Sequence, residues 1–535
     1  MNDDHHAVAR TPQVPLSDAR NALKAANQTG ARKEVLVLGA GMAGLAAAYE
    51  LQQRGHKVTV LEGSKRVGGR VLTHRFKDGS HVELGAMRLP LSHDYTRHYI
   101  KEVGLENTLI DFFNATDQNF LDIRDVVCRR ADGAQRIYPL WGIPGANPDP
   151  TLYPQYPGNA ILGWLITAVI ETMTDIEKRI VLSGGLGTPR LRYLDSLTVG
   201  DFMARGASSE VGELINAFTC LDGLKDKSLS IFLRDALIGI GGGLKTLRDG
   251  MSGLPDGLYK KLAKGTVRFE HEVTAIEIDT QTSVKVRCNT PAGPNEFTAP
   301  FVICTIPYSV LRLVSLVNFS HAKVKAISDM SYINSTKVGF ACRSRFWETK
   351  YGIYGGSSVS DRVQRQTYYP MDHAEMVSKP TGRAQQKPNT LPQSRRFANI
   401  HAAPVPEMEV RRRAKADPTE PGGLLGAYTW GADADRLGVL SRDARAESVM
   451  RGIARFHPEI ENQVTEHESI DWGQHRWSGG AFAYLLPGQL EAMYLVARRP
   501  EHRVFFAGEH CSAEQAWIQG ALVSALQAVL AVAKA

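Results

Sequence analysis

Residues 33–63 read "KEVLVLGAGMAGLAAAYELQQRGHKVTVLEG". An apolar run, Val35 to Leu38, stops at Gly39, and Gly41 and Gly44 complete a Gly-x-Gly-x-x-Gly spacing. A helical stretch runs to Arg54, Gly55 ends it, and a second strand-like run, Lys57 to Leu61, delivers Glu62. Each part has a physical task. The first glycine permits a tight turn, the second lets backbone approach a pyrophosphate, and the third lets helix and strand pack closely. The helix N-terminus turns unpaired N–H groups toward phosphate oxygens. Glu62, about twenty residues past the first glycine, is placed to accept hydrogen bonds from a ribose diol, and it disfavours a 2′-phosphate. Strand, helix, strand and acid in this register predict a Rossmann-like dinucleotide-binding unit.

Just downstream, "VGGR" supplies Gly68, Gly69 and Arg70: two glycines that expose backbone N–H groups and a guanidinium fork suited to phosphate. With this pair of motifs the chain resembles the flavin amine oxidase family, in which they hold FAD. The likeness runs from about residue 33 to 531. It implies an α/β fold: a Rossmann-like FAD-binding domain of the GR2 type, an interleaved sheet-based substrate domain and a helical insertion. On that pattern residues 33–83, 240–320 and 485–535 form the FAD-binding domain, and 84–128 with 321–484 the substrate domain. Residues 129–239 form the helical domain, consistent with the dense apolar positions of "AILGWLITAVIETMTDIEKRI".

The resemblance also carries site residues. In "VFFAGEHCSAEQAWIQG", Glu509 matches the acid set against the flavin ribityl hydroxyls, and Ile518 opens the helix aimed at the isoalloxazine. Val273 matches a backbone contact to adenine, and Met87 is a further cofactor contact. Monoamine oxidases carry a flavin-linked cysteine after two glycines; in "WSGGAFAY" that position is Ala481, so the FAD is expected to be noncovalent. Phe482 and Trp517 match two aromatic walls over the flavin, and the Ala516 carbonyl faces the substrate amine. Lys337, in "STKVGF", matches the active-site lysine near flavin N5, where a cation favours negative charge on the reduced ring and on superoxide.

"ELGAMRLP", residues 83–90, separates the subclasses. A half-buried arginine normally has an anionic partner. Arg88 here resembles the arginine with which L-amino acid oxidases pair the substrate carboxylate. "QTYYP", residues 366–370, resembles their tyrosine segment; Tyr369 is favoured over Tyr368, and strand alternation turns only one of them inward. The expected activity is oxidative deamination of a free L-amino acid, hydrophobic or basic, with dioxygen as acceptor. The rival readings are a flavin L-amino acid 2-monooxygenase, a monoamine or polyamine oxidase and, more remotely, a flavin-containing chromatin scaffold.

Composition narrows the setting. The 63 basic against 56 acidic side chains leave +7, too mild an excess to argue for nucleic acid. Six scattered cysteines read as free thiols, with neither a disulfide framework nor a metal site. The start lacks the apolar core of a secretory signal and no run is long enough to span a membrane, so a cytoplasmic enzyme is expected. A homo-oligomer, in the form of a dimer, is also expected. Residues 1–32 are expected to form a loose arm or short helix, and the Pro- and Arg-rich stretch 371–421 an exposed insertion.

Overall fold

The computed structural model describes residues 16–27, 32–142, 159–219, 221–237, 243–280, 282–378, 408–414 and 416–535. The opening stretch folds as strand Glu34–Leu38, helix Met42–Gln53 and strand Lys57–Leu61. The two strands pair in parallel from Glu34 beside Lys57 to Leu38 beside Leu61. Distant segments complete the sheet, in the order Val267–Arg268, Lys57–Leu61, Glu34–Leu38, Phe301–Cys304, Val504–Phe506, with every neighbouring pair parallel. Helices cover both faces of such a sheet, so its strands read as continuous apolar runs. Phe301–Cys304 and Val504–Phe506 are accordingly buried at every residue.

Gly39 takes φ +100° at the turn, and a Cβ on Gly44 would stand 1.9 Å from the Gly39 carbonyl oxygen. The third glycine is therefore the price of a close helix-to-strand contact.

A second sheet has seven strands, ordered Val464–Asp471, Ser335–Cys342, Gly422–Trp430, Gln366–Tyr368, Ser357–Ser360, Phe120–Ile123, Val126–Arg129. Ser335–Cys342, which carries Lys337, is buried along its whole length between two antiparallel neighbours. Between Asn159 and Leu237 the described residues are mainly helical. Reciprocal capping boxes at Thr174/Glu177 and Thr198/Asp201 fix two of these helix starts. The five described cysteines are all buried and unpaired, and Cys220 lies outside the described residues. Among the described residues, no helix is long and apolar enough to cross a membrane.

Within the N-terminal arm, Leu16–Asn27 is a helix whose Ala19 and Leu23 are buried in the same apolar cluster as the C-terminal helix Ile518–Lys534. The 371–421 stretch is not simply exposed. Residues 379–407 lie outside the described residues, but Ala374–Ser378 pairs antiparallel with Met408–Arg412, and Met371, His373 and Ala374 are buried. Ionic matching outweighs the polar composition. Arg345 donates to both carboxylate oxygens of Asp372 at 2.8 and 2.7 Å, and His373 bonds Glu348 at 3.0 Å and Glu420 at 2.9 Å.

This network has a pH signature. Burial and Arg345 oppose the His373 imidazolium, but the hydrogen bond to Glu348 and the surrounding carboxylates outweigh them, so its pKa lies above the ordinary 6.5. A raised folded-state value contributes stability that is fully present below pH 6.5 and lost as pH rises through the folded value. Thermal melts of the wild type should therefore fall over that alkaline window, and His373→Gln should flatten the dependence.

Candidate active site

A cavity of about 440 Å³ begins at the end of the first parallel strand and reaches the second sheet. Gly39, Gly41, Glu62, Gly69, Arg70 and Val273 line one part of it; Lys337, Phe482, Glu509, Ala516, Trp517 and Ile518 line the other. One space therefore brings together residues from both ends of the chain.

The nucleotide side is built from backbone. No side chain caps the helix Met42–Gln53 and no acid lies in its first turn, so its leading N–H groups are left for an anionic ligand. Glu62 is held by the Ala40 N–H at 2.6 Å and the Ser64 N–H at 2.9 Å, which leaves lone pairs on each oxygen for a diol. Arg66, which the motif reading did not single out, donates to the Gly69 carbonyl at 2.6 Å and to the Val67 and Val71 carbonyls, clamping the Gly68-Gly69 turn.

At the other side Arg70 pairs with Glu509 at 2.7 Å and donates to the Ala481 carbonyl at 3.1 Å. Glu509 also accepts from the N–H groups of Ala483 and Ala516, at 3.1 and 3.0 Å. Ala516 sits at φ +70°, a left-handed backbone that L residues seldom adopt, and it remains exposed to the cavity. The helix Ile518–Lys534 begins immediately after it, with neither a side-chain cap nor an acid in its first turn. Two uncapped helix N-termini, an acid for a ribose and a glycine turn fit a flavin dinucleotide.

Lys337 is 2 % exposed. Its Nζ donates to the carbonyls of Gly85 at 2.7 Å and Glu83 at 3.2 Å and lies 3.3 Å from Met87 Sδ, with the Tyr428 ring centroid at 4.2 Å. Burial brings its pKa down to about 7, with Glu83 pulling upward and Arg88 pushing further down. Burial likewise raises the Glu83 carboxyl to about 7, against the Met251 N–H, the Thr73 hydroxyl and Lys337. Tyr428 pairs with Lys337 in register on the adjacent strand and was missed. Two residues before Trp430, in "GAYTW", it belongs to the same strand face.

Arg88 is half-buried and donates to Asn114 Oδ1 at 2.7 Å and to the Tyr368 hydroxyl at 3.0 Å. Both partners are neutral, and no described Asp or Glu pairs with it. The tyrosine beside Arg88 is thus Tyr368, not the expected Tyr369. Strand pairing sets the phase: Tyr368 lies opposite Leu425, while the next side chain turns into the core. There the Tyr369 hydroxyl meets Ser358 Oγ at 2.7 Å and His457 Nε2 at 2.8 Å. The Tyr368 and Tyr428 rings, 6.2 Å apart, connect Arg88 with Lys337. Met87 lines a second cavity, and its Sδ is the atom that lies 3.3 Å from Lys337 Nζ.

The model of flavin containing amine oxidoreductases matches residues 42–533. The chain belongs to that family. Among its relatives, the flavin-dependent L-tryptophan oxidase RebO of Lentzea aerocolonigenes is 34% identical over 94% of this chain and 98% of its own length. The putative L-amino-acid oxidase YobN of Bacillus subtilis (strain 168) is 28% identical over 98% and 97%. An L-amino-acid oxidase of Naja atra is 28% identical over 97% and 91%. Solved structures of a putrescine oxidase bound to putrescine and of cyclohexylamine oxidase from Brevibacterium oxydans IH-35A superpose with TM-scores of 0.67 and 0.65. Each is 18% identical and covers 94% of this chain and 98% of its own, a likeness of fold alone. As a member of the amine oxidoreductases, the chain has the α/β architecture of a flavin-binding family.

Proposed function

We propose that this protein is an L-amino acid oxidase that binds FAD noncovalently and releases hydrogen peroxide. One observation carries the reading: a half-buried guanidinium beside the flavin-binding cavity has only neutral partners, Asn114 and Tyr368. A simple amine offers nothing to satisfy that charge; an amino acid brings a carboxylate that matches the arginine fork with two parallel hydrogen bonds. The names of the L-tryptophan and L-amino-acid oxidase relatives agree with this choice.

Arg88 and Tyr368 hold the carboxylate in this reading. Phe482 and Trp517 line the adjoining cavity and exclude water from the amino end, where a neutral amine is needed. FAD held by Glu62, Gly69, Arg70 and Glu509 would supply the two-electron acceptor for the Cα hydrogen, with dioxygen as the final acceptor; the imino acid so formed would be hydrolysed by water to a 2-oxo acid and ammonia. Lys337, with a pKa of about 7, holds or releases a proton at Nζ near neutral pH, and its charged form stabilises anionic character beside it. Ala516, Trp517, Phe482 and the Tyr428–Trp430 pair favour a hydrophobic side chain. Asp222, a conceivable receptor for a basic one, is engaged by Asn216 at 2.5 Å.

The test is a panel of L- and D-amino acids and amines scored for peroxide, ammonia and product. Peroxide, ammonia and a 2-oxo acid from hydrophobic L-amino acids support the oxidase; an amide with carbon dioxide would identify a monooxygenase. The tyrosine assignment is separable. Tyr368→Phe should lower kcat/KM about tenfold, the scale of a hydrogen bond to a charged group. Tyr369→Phe should leave it nearly unchanged and lower folding stability by about 1 kcal/mol.

None of the described cysteines lines the cavity, and Ala481 stands where a thioether would form. Trichloroacetic acid should therefore release yellow flavin into the supernatant; flavin retained in the pellet would show a covalent link.

A further inference from the structure

The second cavity, about 560 Å³, is lined by Glu83 and Met87, both of which touch Lys337. Its inner end is apolar: Met87, Ile110, Phe112 and Leu425 line it and belong to one buried cluster. Its outer part carries charged groups, among them Arg75, Asp249 and Arg345. Glu83 and Met87 are its points of contact with the catalytic centre, because Lys337 Nζ lies 3.3 Å from Met87 Sδ and donates to the Glu83 carbonyl. Met87 has an unbranched, flexible side chain, able to swing without displacing backbone. Tyr368, whose hydroxyl bonds Arg88, also lines this cavity, but the Arg88 fork itself does not.

We infer that this cavity is a holding site for dioxygen and that Met87 is its gate onto the Lys337 side of the flavin site. The inference rests on the oxidase reading and adds a route to it. A zwitterionic amino acid would lose its hydration against the inner wall at a cost of several kcal/mol or more. Dioxygen is small, apolar and unhydrated, and apolar space such as this inner end takes up xenon or small apolar molecules in preference to water. Met87 at the inner end lies 3.3 Å from the Nζ of Lys337, the buried side chain that stabilises negative charge on oxygen in the proposed reaction. No bond forms or breaks in the cavity, which stores and passes the gas. Met87 is a gating residue, not a catalytic one.

The test joins a binding readout to a kinetic one. Crystals of the flavin-loaded enzyme under xenon pressure should show xenon between Ile110, Phe112 and Leu425. Ile110→Phe, which fills the inner end, should remove the xenon and slow reoxidation of the reduced enzyme by dioxygen about tenfold. Anaerobic reduction by substrate should stay unchanged, and Ile110→Val should behave as wild type in both respects. The inference fails if wild-type crystals bind no xenon there. It also fails if Ile110→Phe excludes xenon yet reoxidises at the wild-type rate, or if both half-reactions slow equally. Failure of the oxidase reading is distinct: wild type then yields no peroxide with any amino acid or amine, and dioxygen falls as the occupant before any variant is made.

Discussion

Arg88→Ala should lower kcat/KM for L-amino acids by about two to three orders of magnitude, most of it through KM. Removing one member of a desolvated, hydrogen-bonded charge pair costs about 3 kcal/mol or more, because the carboxylate left behind has no equivalent partner. Flavin content should not change, since Arg88 does not line the cofactor cavity. Arg88→Lys restores charge without the planar fork and should recover only part of the loss. Steady-state kinetics with a hydrophobic L-amino acid, alongside the flavin absorbance of each preparation, checks both halves. An unchanged KM removes the carboxylate assignment.

The second large effect concerns Lys337. Lys337→Met keeps the length of the side chain in a fully buried strand and deletes its charge. Loss of one preorganised electrostatic stabiliser typically costs about a hundred- to a thousand-fold, and here the loss should fall on reaction with dioxygen more than on anaerobic reduction. In the wild type the cation is present below a pKa of about 7 and disappears as pH rises through it. Reoxidation should therefore slow with rising pH across neutrality, and Lys337→Met should show no such dependence. Stopped-flow reoxidation at several pH values reads both.

The nucleotide half of the molecule was legible because its information is local. A strand, a glycine turn, a helix and an acid fall within residues 33–63, and their register fixes which backbone N–H groups face a phosphate. Lys337 and Trp517 were reached through resemblance, and they line the same cavity. The tyrosine pair was not legible, because adjacent residues on a strand point opposite ways and the pairing of Tyr368 with Leu425 sets the phase. Asp372, His373 and Glu420 sit in a stretch whose composition reads as exposed; Arg345 and Glu348 draw them into the fold. Tyr428 could have been found by asking which residue faces Lys337 across an antiparallel pair, a register no linear motif records. A short helix in the N-terminal arm was expected, but its packing was not legible, since its two core residues, Ala19 and Leu23, only matter once the C-terminal helix lies against them.

The central claim is that Arg88 makes this an enzyme of amino acids rather than amines. The most direct measurement is anaerobic reduction of the bound flavin by the best L-amino acid substrate and by the amine formed on its decarboxylation, at equal concentration. The account predicts that the amino acid reduces the flavin at least about a hundredfold faster, and that Arg88→Ala erases most of the difference. Equal rates in the wild type would contradict it.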